Sequence, residues 1–219
     1  VTSMQYLFRN TNFNGDISGW DVSSVTHMGY AFDNNETFSG DISAWDVSSV
    51  TDMGNMFWGA ESFNSDLSSW DVSNVTQMRN LFMYNYDFNS DLSSWDVSNV
   101  TNMNNIFRES GFNSDISSWD VSSVTNMSSM FYGNSSFNQD ISSWDVSNVN
   151  NFSDMFEGAS ALSDENKCSL NESFSTNNAW PYDWSDLCVI TFQPQTTAEL
   201  QTAVDMWVDD NATALATYG

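Results

Sequence analysis

A chain of 219 residues with 29 acids against four bases carries a net charge of −25. Such a surface repels phosphate backbones and anionic lipid, which sets aside nucleic acid and acidic membranes as partners. The same acidity would suit a disordered tail, but 40% hydrophobic residues and ten tryptophans, six of them regularly placed, argue for a packed core.

In chain order, Val1 begins neither a signal peptide nor a complete repeat, which reads as a mature or excised part of something longer. Val1–Thr2–Ser3–Met4 and Leu7–Phe8 match Val25–Thr26–His27–Met28 and Ala31–Phe32, and the frame returns at Val50, Val75, Val100, Val124 and Val149. Trp20, Trp45, Trp70, Trp95, Trp119 and Trp144 follow each other at intervals of 25, 25, 25, 24 and 25 residues. A fixed period of about 20 to 50 residues predicts a solenoid, in which each unit covers its neighbour's apolar face. The residue missing between Glu109 and Phe112 falls in a loop, where length changes are cheap.

Within one repeat, Val50, Met53, Met56, Phe57 and Ala60 stand at offsets 0, 3, 6, 7 and 10, the spacing of one face of a short α-helix. Residues such as Ser49, Thr51 and Asn74 are placed to cap it. The second half, Phe63 to Val72, alternates Leu67 with Asp66 and Trp70 and Val72 with Asp71, which predicts one or two very short strands. The expected fold is an α/β repeat solenoid, a leucine-rich-repeat-like stack of short parallel strands and short helices over residues 1–162. Helices need about 10 Å of width and paired strands about 4.8 Å, so the stack should curve.

The stretch Trp70–Asp71–Val72–Ser73–Asn74–Val75–Thr76–Gln77–Met78, running on to Leu81–Phe82, recurs almost unchanged. Its pattern, W-D-V-S-x-V-T-x-M-x-x-M-F-x(5)-F-N-x-D-[IL]-S, resembles the bacterial and planktonic surface-protein repeat that is grouped with BspA-like leucine-rich repeats and found in mycoplasma lipoproteins. The resemblance covers residues 1–162. It implies an extracellular, cell-surface protein used in adhesion, surface coats or partner binding, and it implies no catalysis.

Past Leu162 the period stops. Residues 163–190 hold Trp180–Pro181–Tyr182–Asp183–Trp184 and both cysteines, and suit an aromatic cap over the last rung. In an acidic, lysine-poor chain with many Asn-x-Ser/Thr triplets, Cys168 and Cys188 read as a disulfide of a secreted protein, with two buried thiols as the alternative. Residues 191–219 carry a capping-box pattern, Thr196–Thr197–Ala198–Glu199, ahead of a helix whose Leu200, Ala203, Val204, Trp207 and Val208 share a face. Tyr218–Gly219 resembles the start of the segment at Phe38–Ser39–Gly40–Asp41–Ile42, which would let the tail of one copy run into the head of the next.

Asp16, Asp41, Asp66, Asp91, Asp115 and Asp140 share one repeat position, and Asp21, Asp46, Asp71, Asp96, Asp120 and Asp145 another. Like charges stacked about 5 Å apart repel by about 1 to 3 kcal/mol per pair, and something must offset that. Two readings stay open: calcium held between rungs at Asp41, Asp66, Asp91 and Asp115, or turn N–H groups bonded to each carboxylate. Eight sequons make Asn35 and Asn134, in the turn after the helix, together with Asn171 and Asn211, the glycan candidates of a eukaryotic product.

No zinc-spaced cluster, phosphate loop or nucleophile turn is present in the sequence, and the single histidine, His27, sits at a variable position. The chain reads as a non-enzyme that needs no cofactor, calcium apart. Two classes remain. One is a surface structural protein, a module of a tandem array or head-to-tail filament whose partners are its own copies. The other is an adhesin that takes glycan or protein on Trp180, Tyr182 and Trp184. An ice-binding threonine face is a distant third, since those threonines look occupied as caps.

Overall fold

The computed structural model describes residues 1–188 and 196–209. Seven repeat frames lie one on another as rungs, joined by isolated parallel bridges that run Ser3, His27, Asp52, Gln77, Asn102, Asn126 and Asn151. Only two α-helices occur among the described residues, α1 (Asp164–Phe174) and α2 (Thr197–Asp209), with a 3₁₀ turn at Ser185–Leu187 and no β-strand. The α/β, leucine-rich-repeat-like expectation is therefore corrected: the rungs contain neither the short helices nor the short strands that the apolar spacing suggested.

The physical reason lies in the backbone of the methionine segment. Tyr30 and Asn34 have φ of 61° and 52°, and Asn55 and Gly59 have 60° and 65°, so every fourth residue is left-handed. That reversal breaks the helical hydrogen-bond ladder into tight turns, with Ala31, Asp33 and Asn35 N–H donating three residues back to Met28, Tyr30 and Phe32. The intervening N–H groups of Met28, Tyr30, Phe32 and Asn34 donate instead to the next rung, to the carbonyls of Asp52, Gly54, Met56 and Trp58 at 2.9, 3.0, 2.9 and 2.7 Å. A flattened ribbon of turns can repeat at the ladder spacing of about 4.8 Å, which a helix of about 10 Å diameter cannot. Apolar residues three apart fit such turns as well as they fit a helix. Asn, Gly and Tyr at the left-handed positions mark the difference, because Gly and Asn reach that conformation most cheaply.

The Trp-Asp-Val segment is likewise turned rather than extended. Trp45, Trp70, Trp95, Trp119 and Trp144 each donate Nε1–H to an Ile or Leu carbonyl of the preceding rung, at 2.9 to 3.1 Å. Buried amphipathic indoles usually find such partners, and here the partner fixes the register between rungs. Two phenylalanines per rung pack face to face, as in Phe57–Phe63 at 3.9 Å and Phe82–Phe88 at 3.8 Å. They continue between rungs as Phe32–Phe57, Phe57–Phe82 and Phe82–Phe107 at 5.6, 5.8 and 5.9 Å. The core is thus one column, in which phenylalanine outweighs the methionine and tryptophan stripes.

The last rung is covered. Ser163 caps α1, its Oγ accepting from Asn166 N–H at 3.2 Å, and Asp164 and Glu165 sit where the helix dipole favours acids. Ser173 on α1 donates to the Ser142 carbonyl at 2.6 Å, repeating the bond that Ser143 makes to Ser117 one rung earlier. Leu170 and Phe174 close the apolar face. The Cys168–Cys188 disulfide is present, and it ties α1 to the end of the 3₁₀ turn across a sequence separation of 20. Ahead of α2 the capping box forms as expected: Glu199 N–H donates to Thr196 Oγ1 at 3.1 Å and Thr196 N–H to Glu199 Oε2 at 3.2 Å. Leu200 and Val204 of α2 are about half exposed and Ala203 is buried. The side chains of Trp207 and Val208, and the connector at Tyr218–Gly219, lie outside the described residues.

Candidate functional site

Each aspartate of the first column closes a turn on the serine two residues on. Asp41, Asp66, Asp91 and Asp115 accept the N–H of Ser43, Ser68, Ser93 and Ser117 through Oδ1, at 2.9, 2.9, 2.9 and 2.8 Å. The second column repeats this and at Asp21, Asp46, Asp71 and Asp96 adds the serine hydroxyl; Asp71 takes Ser73 N–H at 3.0 Å and Ser73 O–H at 2.6 Å. These bonds hold the carboxyls of Asp41, Asp66, Asp71 and Asp91 below their ordinary range. At Asp71 the Ser73 hydroxyl leads and its N–H follows; at Asp66 the Ser68 N–H leads, and repulsion from Asp91 and Asp41 is the weakest influence. The offset to like-charge stacking therefore comes from the turns. No three carboxylates of the columns converge: among the described residues the one group with three ligand-type atoms within 4.8 Å is Cys168, Glu172 and Cys188. Its two sulfurs are joined to each other. Asp41, Asp66, Asp91 and Asp115 thus form turns in a row, without a ready-made calcium cage.

The glycan candidates Asn35 and Asn134 need correction. Both are fully buried. Asn35 Nδ2 donates to the Phe13 carbonyl at 2.9 Å and Asn134 Nδ2 to the Phe112 carbonyl at 3.0 Å. The nitrogen that would carry a sugar is committed to the core, so neither position accommodates a glycan in the folded chain. Asn171 is half-buried on α1, where its Oδ1 accepts Trp184 N–H at 3.1 Å, and Asn211 lies outside the described residues.

Trp180, Tyr182 and Trp184 do come together, with ring centroids 5.0, 4.5 and 5.6 Å apart. They face inward. Trp180 meets Phe152 and Phe174 edge-on at 5.3 and 5.2 Å, and Trp184 lies 5.8 Å from Phe156. Tyr182 Oη accepts the Phe156 N–H at 2.8 Å, a group that in earlier rungs donates to the next rung. Burial raises the Tyr182 phenol, partly opposed by that bond. The three rings pack against the end of the column, each staying partly exposed.

Two features had no reading in the sequence. Asp33 is fully buried against Arg9, 2.6 Å from Nε, while the guanidinium sits 5.5 and 5.4 Å from the stacked rings of Tyr6 and Tyr30. Burial pushes the Asp33 carboxyl up, and Arg9 opposes that. The second feature is a cleft of about 460 Å³ between the last Trp-Asp-Val segment and the end of α1, lined by Trp144, Asp145, Ser147, Ser173, Thr176 and Asn178 among others. The one signal for it is that position 169, a full period after Trp144, holds serine instead of tryptophan. His27 is exposed and lies 2.8 Å from the Thr26 hydroxyl, bridged to Asp52 in the bridge column.

A column of aspartate-closed turns, locked by tryptophan-to-carbonyl bonds and ended by a disulfide-tied plug, defines a repeat protein with units of about 25 residues. The family model described as "Mycoplasma protein of unknown function, DUF285" matches residues 1–95 and again 85–180, and the chain belongs to this family, a type to which BspA-like repeats also belong. No curated protein matches the chain.

Proposed function

We propose that this chain is a structural element of an extracellular cell surface, a stiff spacer in a coat or array. The observation that carries the reading is how the consensus residues are spent. Trp joins rung to rung, Asp and Ser close turns, and Thr26, Thr51, Thr76 and Thr125 donate to carbonyls of the preceding rung. Selection for stacking alone accounts for that pattern. The disulfide favours an oxidising location. No described helix is long and apolar enough to cross a membrane.

In this reading copies associate head to tail through the first rung, where Leu7 and Trp20 are 47% and 43% exposed beside a groove of about 570 Å³. The contact then sets the first rung of one copy against the outer face of the next copy's cap, two different patches, so it is heterologous and grows into an open array. Sedimentation velocity over a wide concentration range, with negative-stain imaging, tests it. Concentration-dependent strings that vanish in Leu7→Ser/Trp20→Ser support the reading. Monomers at every concentration reject it.

A further inference from the structure

The two ends of the column carry opposite halves of one hydrogen-bond pattern. In the first rung the N–H groups of Met4, Tyr6, Phe8 and Asn10 donate to the carbonyls of His27, Gly29, Ala31 and Asp33 in the next, at 2.9, 3.3, 2.8 and 2.8 Å. The sixth rung treats the seventh alike, from Met127, Ser129, Phe131 and Gly133 to Asn151, Ser153, Met155 and Glu157. Donors in this segment thus point toward the cap, and the matching carbonyls toward the first rung. The first rung is left with an open row of acceptors, since the carbonyls of Ser3, Gln5, Leu7 and Arg9 accept nothing among the described residues. On the seventh rung the N–H groups of Phe152, Asp154 and Gly158 donate to nothing among the described residues, and Phe156 N–H reaches the Tyr182 phenol.

Side chains match in the same register. Placing the N–H groups of Phe152, Asp154, Phe156 and Gly158 on the Ser3, Gln5, Leu7 and Arg9 carbonyls of a second copy sets Phe156 beside Phe8 and Glu157 beside Arg9. Phe131 and Phe156, neighbours at the first of these positions, already stack at 5.5 Å. Neighbours at the second position touch as well: Arg9 Nε lies 2.6 Å from Asp33, and the Arg108 guanidinium 4.1 Å from the Tyr132 ring centroid. Glu157 is exposed and has no basic partner among the described residues, and the Arg9 side chain is 40% exposed. In a chain with four basic residues, one of them stands on the edge where this acid would meet it. Two first rungs, by contrast, would set carbonyl against carbonyl.

We infer that the open edge of the first rung binds the seventh rung of a second copy, and that the chain's own cap competes for that place. The inference rests on the head-to-tail reading: against a closed cap the first rung meets the cap's outer face, and once the cap has lifted it meets the rung beneath and completes the ladder. The cap is a substitute for an eighth rung. Tyr182 Oη accepts the Phe156 N–H in place of a backbone carbonyl, Asn177 Nδ2 donates to the Val146 and Val149 carbonyls at 2.8 Å each, and Trp180 meets Phe152 edge-on. It is an incomplete one, since three donors of the seventh rung stay unmet and Pro181 has no N–H with which to pass the ladder on. A surface that an internal competitor occupies binds in proportion to the fraction of time it is open. Cap closure therefore limits growth of the array.

The test is sedimentation velocity of the whole chain at about 0.15 M salt, where repulsion between copies is screened beyond about 8 Å. Tyr182→Phe, and separately Cys168→Ser/Cys188→Ser, loosen the cap and should tighten self-association at least about 10-fold. Adding Glu157→Lys to either sets two cations together and should reverse that gain by at least about 10-fold, whereas Glu61→Lys, the same charge change on an exposed residue in mid-column, should leave it in place. Cap variants that associate no more strongly than wild type overturn the inference, as do equal effects of the two lysines or a closed dimer that grows no further. Where wild type still forms strings, those results leave the array reading standing. Monomers in wild type and cap variants alike reject both.

Discussion

Single residues fix where one rung may approach the next, and Gly111 is the sharpest case. The repeat that is one residue short cuts its corner so closely that a Cβ on Gly111 would run into the Tyr86 carbonyl. Backbone cannot retreat the way a side-chain tip can, so Gly111→Ala should lose about 1–3 kcal/mol in a denaturant melt, the cost of overpacking a tight site. Gly19, with nothing within 4 Å of the same added atom, is the control; there alanine should be neutral or stabilise by about 0.4–1 kcal/mol. The shortened loop is therefore dearer than its surface position implies. Trp95→Phe separates a second effect. It keeps most of the ring but removes the donor to the Leu67 carbonyl, and a loss of about 1–3 kcal/mol is expected for that bond plus the vacated volume. A melt indistinguishable from wild type would show that neither the indole N–H nor its extra volume sets the register.

Between residue and rung, the sequence was legible in its period and misleading in its local geometry. Val50, Met53 and Met56 are buried as read, yet the spacing of three belongs to turns that bond three residues back. Helix and turn share that spacing; what separates them is the left-handed residue at Asn55 and Gly59, which periodicity ignores. The same omission placed Asn35 and Asn134 on the surface, because a turn outside a helix would be exposed, whereas a turn inside a flattened rung points its amide to the core. The cap was legible as an element, from its aromatics and cysteines, but not in its direction, since nothing local says which way Trp180 and Trp184 face. Its disulfide closes a loop with a sequence separation of 20, worth about 3 kcal/mol in the chain-entropy estimate. Replacing both Cys168 and Cys188 by serine should make the cap melt ahead of the rungs, seen as early loss of near-ultraviolet aromatic signal with the far-ultraviolet spectrum retained. One cooperative loss of both signals would mean that the plug and the column are a single unit.

At the scale of the whole molecule, two properties follow from repetition. The first is the response to acid. Carboxyls of both columns, Asp41, Asp66, Asp91, Asp71 and Asp120 among them, are held below the ordinary range by serine hydroxyl and N–H bonds. A depressed folded value means stability that is present above the unfolded value of about 3.9 and lost as pH falls through the folded one. Asp33 runs the other way: its raised carboxyl takes up a proton more readily in the fold, so acid relieves its burial. The depressed carboxyls are the more numerous, and the melting temperature should hold steady above about pH 5 and fall below about pH 4. Asp33→Asn should steepen that fall. A melting temperature that rises on acidification would instead make relief of the net negative charge the dominant effect.

The second property is that each rung meets only its neighbours, so stability should be a sum over rungs and interfaces. Removing residues 50–74, one period, joins Ser49 to Val75 and lets Thr76 meet Thr26 as Thr51 did. The Phe32, Phe82 and Trp95 columns stay in register, and the Arg9–Asp33 pair and the cap are untouched. The shortened chain should fold to the same spectrum, with a smaller denaturant slope because less surface is exposed on unfolding. Removing residues 50–61 instead takes out the turn segment alone. Trp70 then follows Trp45 with no turn segment between them and loses the Ile42 carbonyl as its partner, and that chain should not reach a cooperative transition. If the full-period deletion unfolds as readily as the half-period one, the rungs are not equivalent units and the column depends on something particular to its third turn.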